Sequence, residues 1–534
     1  MSNIPTRETA VDPFYSGHPL RRALMTSCLM MAIVMQALDM TICNVALPYM
    51  QGSLSTTQDQ INWVLTSYIV AAAIMTSPLG WGAERFGRKK LFIVCATGFT
   101  LASMLCGVSQ SIEQMVGFRI LQGMFGAGLA PLAQAVMLDI YPAEQRGSAM
   151  AIFGMGIMLG PIMGPTLGGW LTDQYSWRWV FYVNLPFGAL TVFGLSLLMH
   201  ETETNRVPFS WMGFLSLSLG IGSLQMMLDR GQDLGWFDSW EVVTEAVLSA
   251  AGFYFFFADA FTTSRPFVPL KMFLDRNFAA ANILMFINGI VLLATMALVT
   301  PFIQILLGYP VVTSGFLLGS RGIGTLFSMM LVGRLLNSGA DARWLIAIGV
   351  SVVTYALWGM SGWNTDTPAR LIVLNSVTQG AGLGFIFVPL QTIGFATLPA
   401  QFRTHGSALF TLIRNIGSSI GISLLIANLV NNTAAFHSQL VEFITPFNRG
   451  MALPDAAGKF SLLSERSLAM LDGVVTQQAA AIAYANDFLI MTYISLLALP
   501  MILLFKAPKA PPGASGSAAK PRKALAEASA LKSP

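Results

Sequence analysis

Fourteen stretches of this chain are apolar for long enough to cross a lipid bilayer, and that excludes most other ways of folding. They lie at about 23–50, 61–83, 89–109, 114–139, 147–172, 178–199, 211–229, 240–262, 278–304, 311–335, 343–361, 370–398, 405–430 and 487–506. As an α-helix, each reaches across a hydrocarbon core of about 30 Å at about 1.5 Å per residue. The rest of the chain agrees: of 534 residues, 54% are hydrophobic and 10% charged, against about 25% charged in a soluble domain. The fold class expected is an all-α polytopic membrane protein.

Charge placement sets the orientation. With the N-terminus in the cytoplasm, the inner loops hold Arg85, Arg88, Lys89, Lys90, Arg146, Arg206, Arg265, Lys271, Arg276, Arg334, Arg343 and Arg403. The outer loops hold only Arg178, Arg230, Arg370, Arg449, Lys459 and Arg466, half of them in one long loop that the positive-inside rule discounts. Both termini are therefore expected inside, which requires an even number of spans. The segment ahead of Arg21 is polar, and the first apolar run ends at Pro48 without a small-residue cleavage site, so span 1 is expected to stay in the mature protein.

Cys28, Cys43, Cys95 and Cys106 all lie in apolar stretches and form no C-x-x-C pair, which suits packing rather than a metal site. His18, His200, His405 and His437 are scattered outside the apolar cores. No nucleophile–base pair or metal-ligand cluster stands out, so no enzymatic activity, cofactor or metal is expected, and nothing points to a nucleic-acid partner. Residues 431–486 form a polar insertion placed outside, where 433–444 and 459–485 have helical spacing. They either extend the flanking spans beyond the bilayer or form a loose loop. Residues 507–534, rich in Pro, Ala, Ser and Lys, read as a disordered cytoplasmic tail with Lys520, Arg522 and Lys523 available to the membrane surface.

Two ionisable residues sit deep in apolar helices. Asp39 in span 1 lies nine residues before Pro48, and Arg119 in span 4 lies six after Glu113. Both fall about 9–14 Å below the outer surface, so they can meet. A charge at mid-membrane costs roughly 2.5–3.5 kcal/mol on insertion scales, and such residues usually face a cavity, pair, or carry protons. The pair is either a static bridge between spans 1 and 4 or a proton site in which Arg119, which cannot release a proton, modulates Asp39.

The inner hairpin Leu79-Gly80-Trp81-Gly82-Ala83-Glu84-Arg85-Phe86-Gly87-Arg88-Lys89-Lys90 combines glycines for a tight turn with an acid and bases that can bridge to neighbouring helix ends. It resembles the loop signature G-x-x-x-D-R-x-G-R-[KR] of the major facilitator superfamily, with Glu84 in place of the usual Asp. A degenerate echo, Gly333-Arg334-Leu335-Leu336-Asn337 with Arg343, falls where a second six-helix half would put it. Span 5 carries Gly154, Gly156, Gly160-Pro161, Gly164-Pro165 and Gly168-Gly169, a small-residue ridge for close helix approach. It resembles, imperfectly, the superfamily's antiporter signature G-x-x-x-G-P-x-x-G-G. Leu228-Asp229-Arg230-Gly231-Gln232-Asp233-Leu234-Gly235-Trp236-Phe237 is similar to a segment after span 7 in the fourteen-span drug:proton antiporters of EmrB/QacA type. Trp63, Tyr68, Gln304, Gly308-Tyr309 and Gln478-Ala479 fit the EmrB-type pattern as well.

The resemblance implies a major facilitator fold of two six-helix halves plus two additional central helices. The division expected is 1–22 N-terminal segment, 23–199 first half, 200–265 inserted spans 7 and 8, 266–506 second half with the insertion 431–486, and 507–534 tail. It implies export of small hydrophobic or amphipathic compounds across a bacterial cytoplasmic (inner) membrane, driven by the proton gradient with Asp39 and Arg119 as coupling residues. Relatives in two-membrane bacteria work with a periplasmic adaptor (membrane fusion protein) and a TolC-like outer-membrane channel, for which 431–486 is a docking element. Alternatives are a dedicated exporter of one metabolite, such as a siderophore or fatty acid, and a membrane sensor. Asn44, Asn288, Arg321, Gln379, Gln391 and Arg414 are candidates to line the substrate path; Asn375 and Asn415 are further polar residues in the later spans. No acid is counted in those later spans, so the coupling ratio is expected to be smaller than in relatives that have one.

Overall fold

In the computed structural model, residues 18–205, 207–263, 266–445 and 464–506 are described. The expected tail at 507–534 and the middle of the insertion lie outside them. Among the described residues every regular element is helical: α1 (Pro19–Ser53), α2 (Gln58–Thr76), α3 (Leu79–Phe86), α4 (Arg88–Val108), α5 (Ile112–Gly126), α6 (Leu129–Ile140), α7 (Arg146–Gln174), α8 (Trp179–Tyr182), α9 (Asn184–Leu198), α10 (Trp211–Arg230), α11 (Trp240–Thr262), α12 (Arg276–Pro301), α13 (Val311–Asn337), α14 (Ala342–Met360), α15 (Ala369–Ala396), α16 (Arg403–Val441) and α17 (Glu465–Met501), with short 3₁₀ and π turns between them. Thirteen helical segments among the described residues are long and apolar enough to cross a membrane, and the bent pair α2–α3, broken by 54°, brings the number up to fourteen.

Local chemistry sets the boundaries. Thr57 and Gln60 form a reciprocal capping box at the start of α2, and Asp275 accepts from the amides of Asn277 and Phe278 at the start of α12 (2.9 and 3.0 Å). Gly87 separates α3 from α4 at φ +87°, a conformation that favours glycine. Past Pro301, α12 ends in a π turn, Phe302–Leu306.

The early helices pack on one another, α1 on α7 and α9 and α5 on α2 and α4; so do the late ones, α15 on α13 and α14, and α16 on α12 and α17. The pair α10–α11 leans on α2 and α16. The two groups meet along α7–α13 and where α16 touches α3 and α6. The face carrying Arg85, Arg88 and Arg403 is called the basic face below.

The insertion resolves one open alternative. Helix α16 continues to Val441 and α17 already begins at Glu465. At 39 and 37 residues, these helices are about 58 and 55 Å long, well beyond the hydrocarbon thickness. His437 Nε2 lies 2.9 Å from Asp472 Oδ1 and ties the projecting parts together.

Candidate functional site

Asp39 occupies the middle of a closed polar cluster. Arg119 Nη1 donates to Asp39 Oδ2 at 2.7 Å, Gln122 Nε2 donates to Oδ1 at 2.7 Å, and Asn184 Nδ2 donates to Oδ1 at 3.0 Å. Asp39, Arg119 and Gln122 are each 0% exposed. The guanidinium is held in turn: Nε donates to the Val64 carbonyl at 3.0 Å, Nη1 also donates to Gln122 Oε1 at 2.8 Å, and the Tyr68 ring lies 4.3 Å from Cζ. Asn184 also donates to Ser103 Oγ at 3.0 Å, and Ser103 donates to the Phe181 carbonyl at 2.9 Å. Each of these three partners of Asp39 is a donor, so the arrangement suits the ionised carboxylate. Buried pairs of this kind are costly to break from one side only, because the remaining charge is stranded.

Helix α1 carries Asp39 against the glycine ridge of α7. A Cβ on Gly160 would run into the Ala37 backbone, and Gly164 faces Thr41. Thr41 Oγ1 donates to the Gly160 carbonyl at 2.9 Å. The other side of α7 meets α13, with Gly154 against Met329 and Gly147 against Leu336. A continuous chain of contacts therefore runs from Asp39 to the second group of helices.

On the basic face the two groups of helices are latched. Asp139, at the end of α6, pairs with both Arg88 of α4 and Arg403 of α16. His405 Nε2 lies 3.0 Å from Glu84 Oε1, and the His405 ring fills the space beside Gly80. Gln134 bonds Gln391 across the same seam, Ser407 donates to the Pro131 carbonyl at 2.8 Å, and Asn337 Nδ2 donates to Ser148 Oγ at 2.6 Å. The hairpin itself is braced by Glu201, which accepts from the amides of Lys89 and Lys90 at 3.1 and 3.3 Å.

The remaining candidates are dispersed. Gln391 is a strut of that seam, Asn44 is exposed, and Gln379 donates to Thr295 at 3.0 Å inside the second group. Asn288 and Asn375 are buried, and among the described residues Asn288 Oδ1 and Asn375 Nδ2 have no partner. Arg321 Nη2 donates to the Leu292 carbonyl at 3.3 Å, and Arg414 Nη2 to Asn415 Oδ1 at 3.3 Å; among the described residues neither pairs with a carboxylate. Gly289, where the Arg414 carbonyl sits, and Leu292 are close neighbours on α12, so the two arginines flank one turn of that helix. In the segment after α10, Asp229 bonds Thr66, and Arg230 pairs with Glu241 and lies 5.1 Å from the Trp63 ring. Arg85 lies in the last turn of α3, and Pro161 and Pro165 lie within α7.

One expectation is overturned. The late spans do contain an acid: Asp487 of α17 is 0% exposed, accepts from Asn428 Nδ2 at 2.6 Å through Oδ1, and among the described residues leaves Oδ2 without a partner. By hydropathy it reads as the polar flank of an apolar segment beginning there, whereas the helix starts far ahead of it, at Glu465. Sequence reasoning also misses Asp139, Arg403, His405, Gln122 and Asn184 as members of these clusters. A carboxylate at the end of span 4 could have been sought as the counter-charge to the basic hairpin; nothing in sequence separates Gln122 or Asn184 from other intramembrane amides.

The sequence pattern of the Major Facilitator Superfamily matches residues 29–422. Fatty acid resistance protein FarB of Neisseria gonorrhoeae is 31% identical over 491 residues, covering 91% of this chain and 96% of that one. Multidrug export protein EmrB of Haemophilus influenzae is 32% identical over 491 residues (91% and 96%), and that of Escherichia coli K12 is 32% identical over 506 residues (93% and 97%). Among solved structures, the human organic anion transporter MFSD10 (TETRAN) superposes with TM-score 0.57 at 12% identity, over 89% of this chain and 99% of that one. A bacterial homolog of the human lysosomal transporter Spinster, inward-facing and unoccupied, gives 0.52 at 18% identity, over 92% and 100%.

Proposed function

This chain belongs to the major facilitator superfamily, and we propose that it works as a proton-coupled exporter of hydrophobic or amphipathic compounds. The reading places it in a bacterial cytoplasmic membrane with the basic face and both termini inside. The observation that carries the coupling is the sealed Asp39–Arg119 pair, 0% exposed on both sides. EmrB-type relatives along more than nine-tenths of the chain support the direction of transport.

In the proposed cycle, the latched basic face is the state that faces outward. A proton arriving from outside neutralises Asp39 and releases its hold on Arg119, Gln122 and Asn184. Helix α1 then shifts against α7, α7 shifts against α13, and the latch at Asp139 and His405 opens inward. Substrate entering from the inner side and proton release there reset the pair. A potential of 100 mV contributes about 2.3 kcal/mol per charge moved, and a pH difference of one unit about 1.4 kcal/mol.

Arg321 and Arg414, two guanidiniums without carboxylate partners among the described residues, favour cargo that brings its own negative group. That supports the second reading, a dedicated exporter of a carboxylate amphiphile, in line with the fatty acid resistance in the name of one relative. The projecting ends of α16 and α17 are suited to docking a periplasmic adaptor that hands cargo to an outer-membrane channel. Uptake of a panel of cationic, neutral and anionic amphiphiles into inside-out vesicles, with and without a pH gradient, tests the function: gradient-dependent accumulation is expected, and none across the panel would refute export.

A further inference from the structure

The second group of helices holds a carboxylate that the Asp39 cycle does not use. Asp487 is completely buried; among the described residues its Oδ1 accepts from the Asn428 amide at 2.6 Å and its Oδ2 has no partner. Asp39, by contrast, has a guanidinium and two amides around its two oxygens. An amide dipole does not offset a buried negative charge as a guanidinium does, so a proton on Oδ2 is what makes the Asp487 site neutral.

Among the described residues the surroundings offer no cation. On its own helix the nearest titratable group is Tyr484, one turn toward Glu465. From α16 comes Asn428, with His437 further out and bound to Asp472. From the π turn after α12 comes Phe302, and from the turn after α14 comes Trp363; both rings pack on Phe488, the residue next to Asp487. No ion pair among the described residues includes Asp487.

A cleft borders the same stretch of the two helices. It has a volume of about 500 Å³, opens between α16 and α17, and is walled by Leu429, Thr433, His437, Asp472, Ala480 and Tyr484. Leu429 adjoins Asn428, which bonds Asp487, and Tyr484 is one helical turn from Asp487 along α17, so two of the wall residues are chain neighbours of the Asn428–Asp487 pair. Past Asp487 the chain stays helical almost to Lys506, which bonds Asn277 at the basic face; α1 likewise leads from Asp39 back to Arg22. At the helical rise, both acids thus stand about 26–28 Å from that face, in the half of the membrane away from it.

We propose that Asp487 is a second proton-carrying residue of the transport cycle, loaded through the α16–α17 cleft and neutral while Asp39 is ionised. The step is a bare proton transfer: a hydronium in the cleft gives a proton to Oδ2, and the site goes from one negative charge to none. This rests on the proton-coupled reading and adds a second proton site to it.

Infrared difference spectra of the purified full chain in lipid, recorded between acidic and alkaline buffer without substrate, test it. The parent is expected to show a protonated-carboxyl stretch that Asp487→Asn removes, that Asp39→Asn retains, and that Asp487→Glu restores at a shifted frequency. Proton uptake counted over the same pH interval should fall by one per protein in Asp487→Asn. In vesicles, the ratio of protons to tetraphenylphosphonium or decanoate moved, with whichever probe the parent carries, should also fall. Parent-like spectra and uptake in Asp487→Asn, or an unchanged ratio, overturn the proposal. A parent that moves both probes without protons defeats the coupled reading itself, a distinct outcome.

Discussion

Thr41 of α1 donates to the Gly160 carbonyl of α7 across 2.9 Å, two residues along the chain from Asp39. The bond ties the helix of the buried acid to the helix that also touches α13, the path along which the proposed cycle passes a charge change to the second group of helices. Because no Cβ fits at Gly160, the approach of α1 and α7 depends on that residue. Gly160→Val is expected to destabilise by about 1–3 kcal/mol through overpacking, with a larger loss of transport than Gly160→Ala. Thermal unfolding of purified protein and vesicle transport measure the two; equal, parent-like values would remove the ridge from the account.

The basic-face latch depends on one carboxylate serving two arginines. Asp139→Ala leaves Arg88 and Arg403 facing each other without their shared partner. With cysteines replacing Ser148 and Asn337, which bond across the seam, cross-linking should slow about tenfold, the equivalent of about 1.4 kcal/mol in the latch equilibrium. An unchanged rate would mean that the latch does not hold the seam.

Asp341 caps α14 at the basic face and bonds Arg343 at 2.7 Å, and that partner holds its carboxyl below the ordinary value of 3.8. A depressed folded-state value contributes stability above the unfolded value, and that stability is lost as pH falls through the folded one. The pair is about one-third exposed, so the contribution is at most about 1 kcal/mol. Asp341→Asn should therefore lower thermal stability slightly at neutral pH and not at all in strong acid.

Arg321 and Arg414 are expected to govern cargo charge. Replacing either by Gln should cut transport of carboxylate amphiphiles about tenfold relative to neutral ones, about 1.4 kcal/mol of recognition. Competition between anionic and neutral compounds in vesicles reads the ratio. Equal losses for both classes would make the arginines supports of the helix packing.

Much of this architecture was legible in apolar run length, because lipid demands long helices whatever their neighbours. The basic hairpin and the meeting of Asp39 with Arg119 were legible too, since charge and helical rise are local quantities. What escaped depends on contact between distant elements or on segments outside the hydropathy signal. Asp139 and Asp487 each stand at the edge of an apolar run and look like boundary polarity. Gln122 and Asn184 become partners of Asp39 only once α5 and the α8–α9 break are folded against α1. The extension of α16 and α17 past their apolar stretches is polar, so its helical spacing alone leaves a loose loop equally open. The breaks within α2–α3 and α5–α6 are masked by continuous hydrophobicity.

The central claim is that Asp39 exchanges the proton that drives export. The most direct measurement is uphill transport in proteoliposomes under an imposed pH gradient, comparing the parent with Asp39→Asn and Asp39→Glu. The account predicts that Asp39→Asn, inserted and folded, loses gradient-driven accumulation, while Asp39→Glu retains part of it with an altered pH profile. Full uphill transport by Asp39→Asn would contradict it.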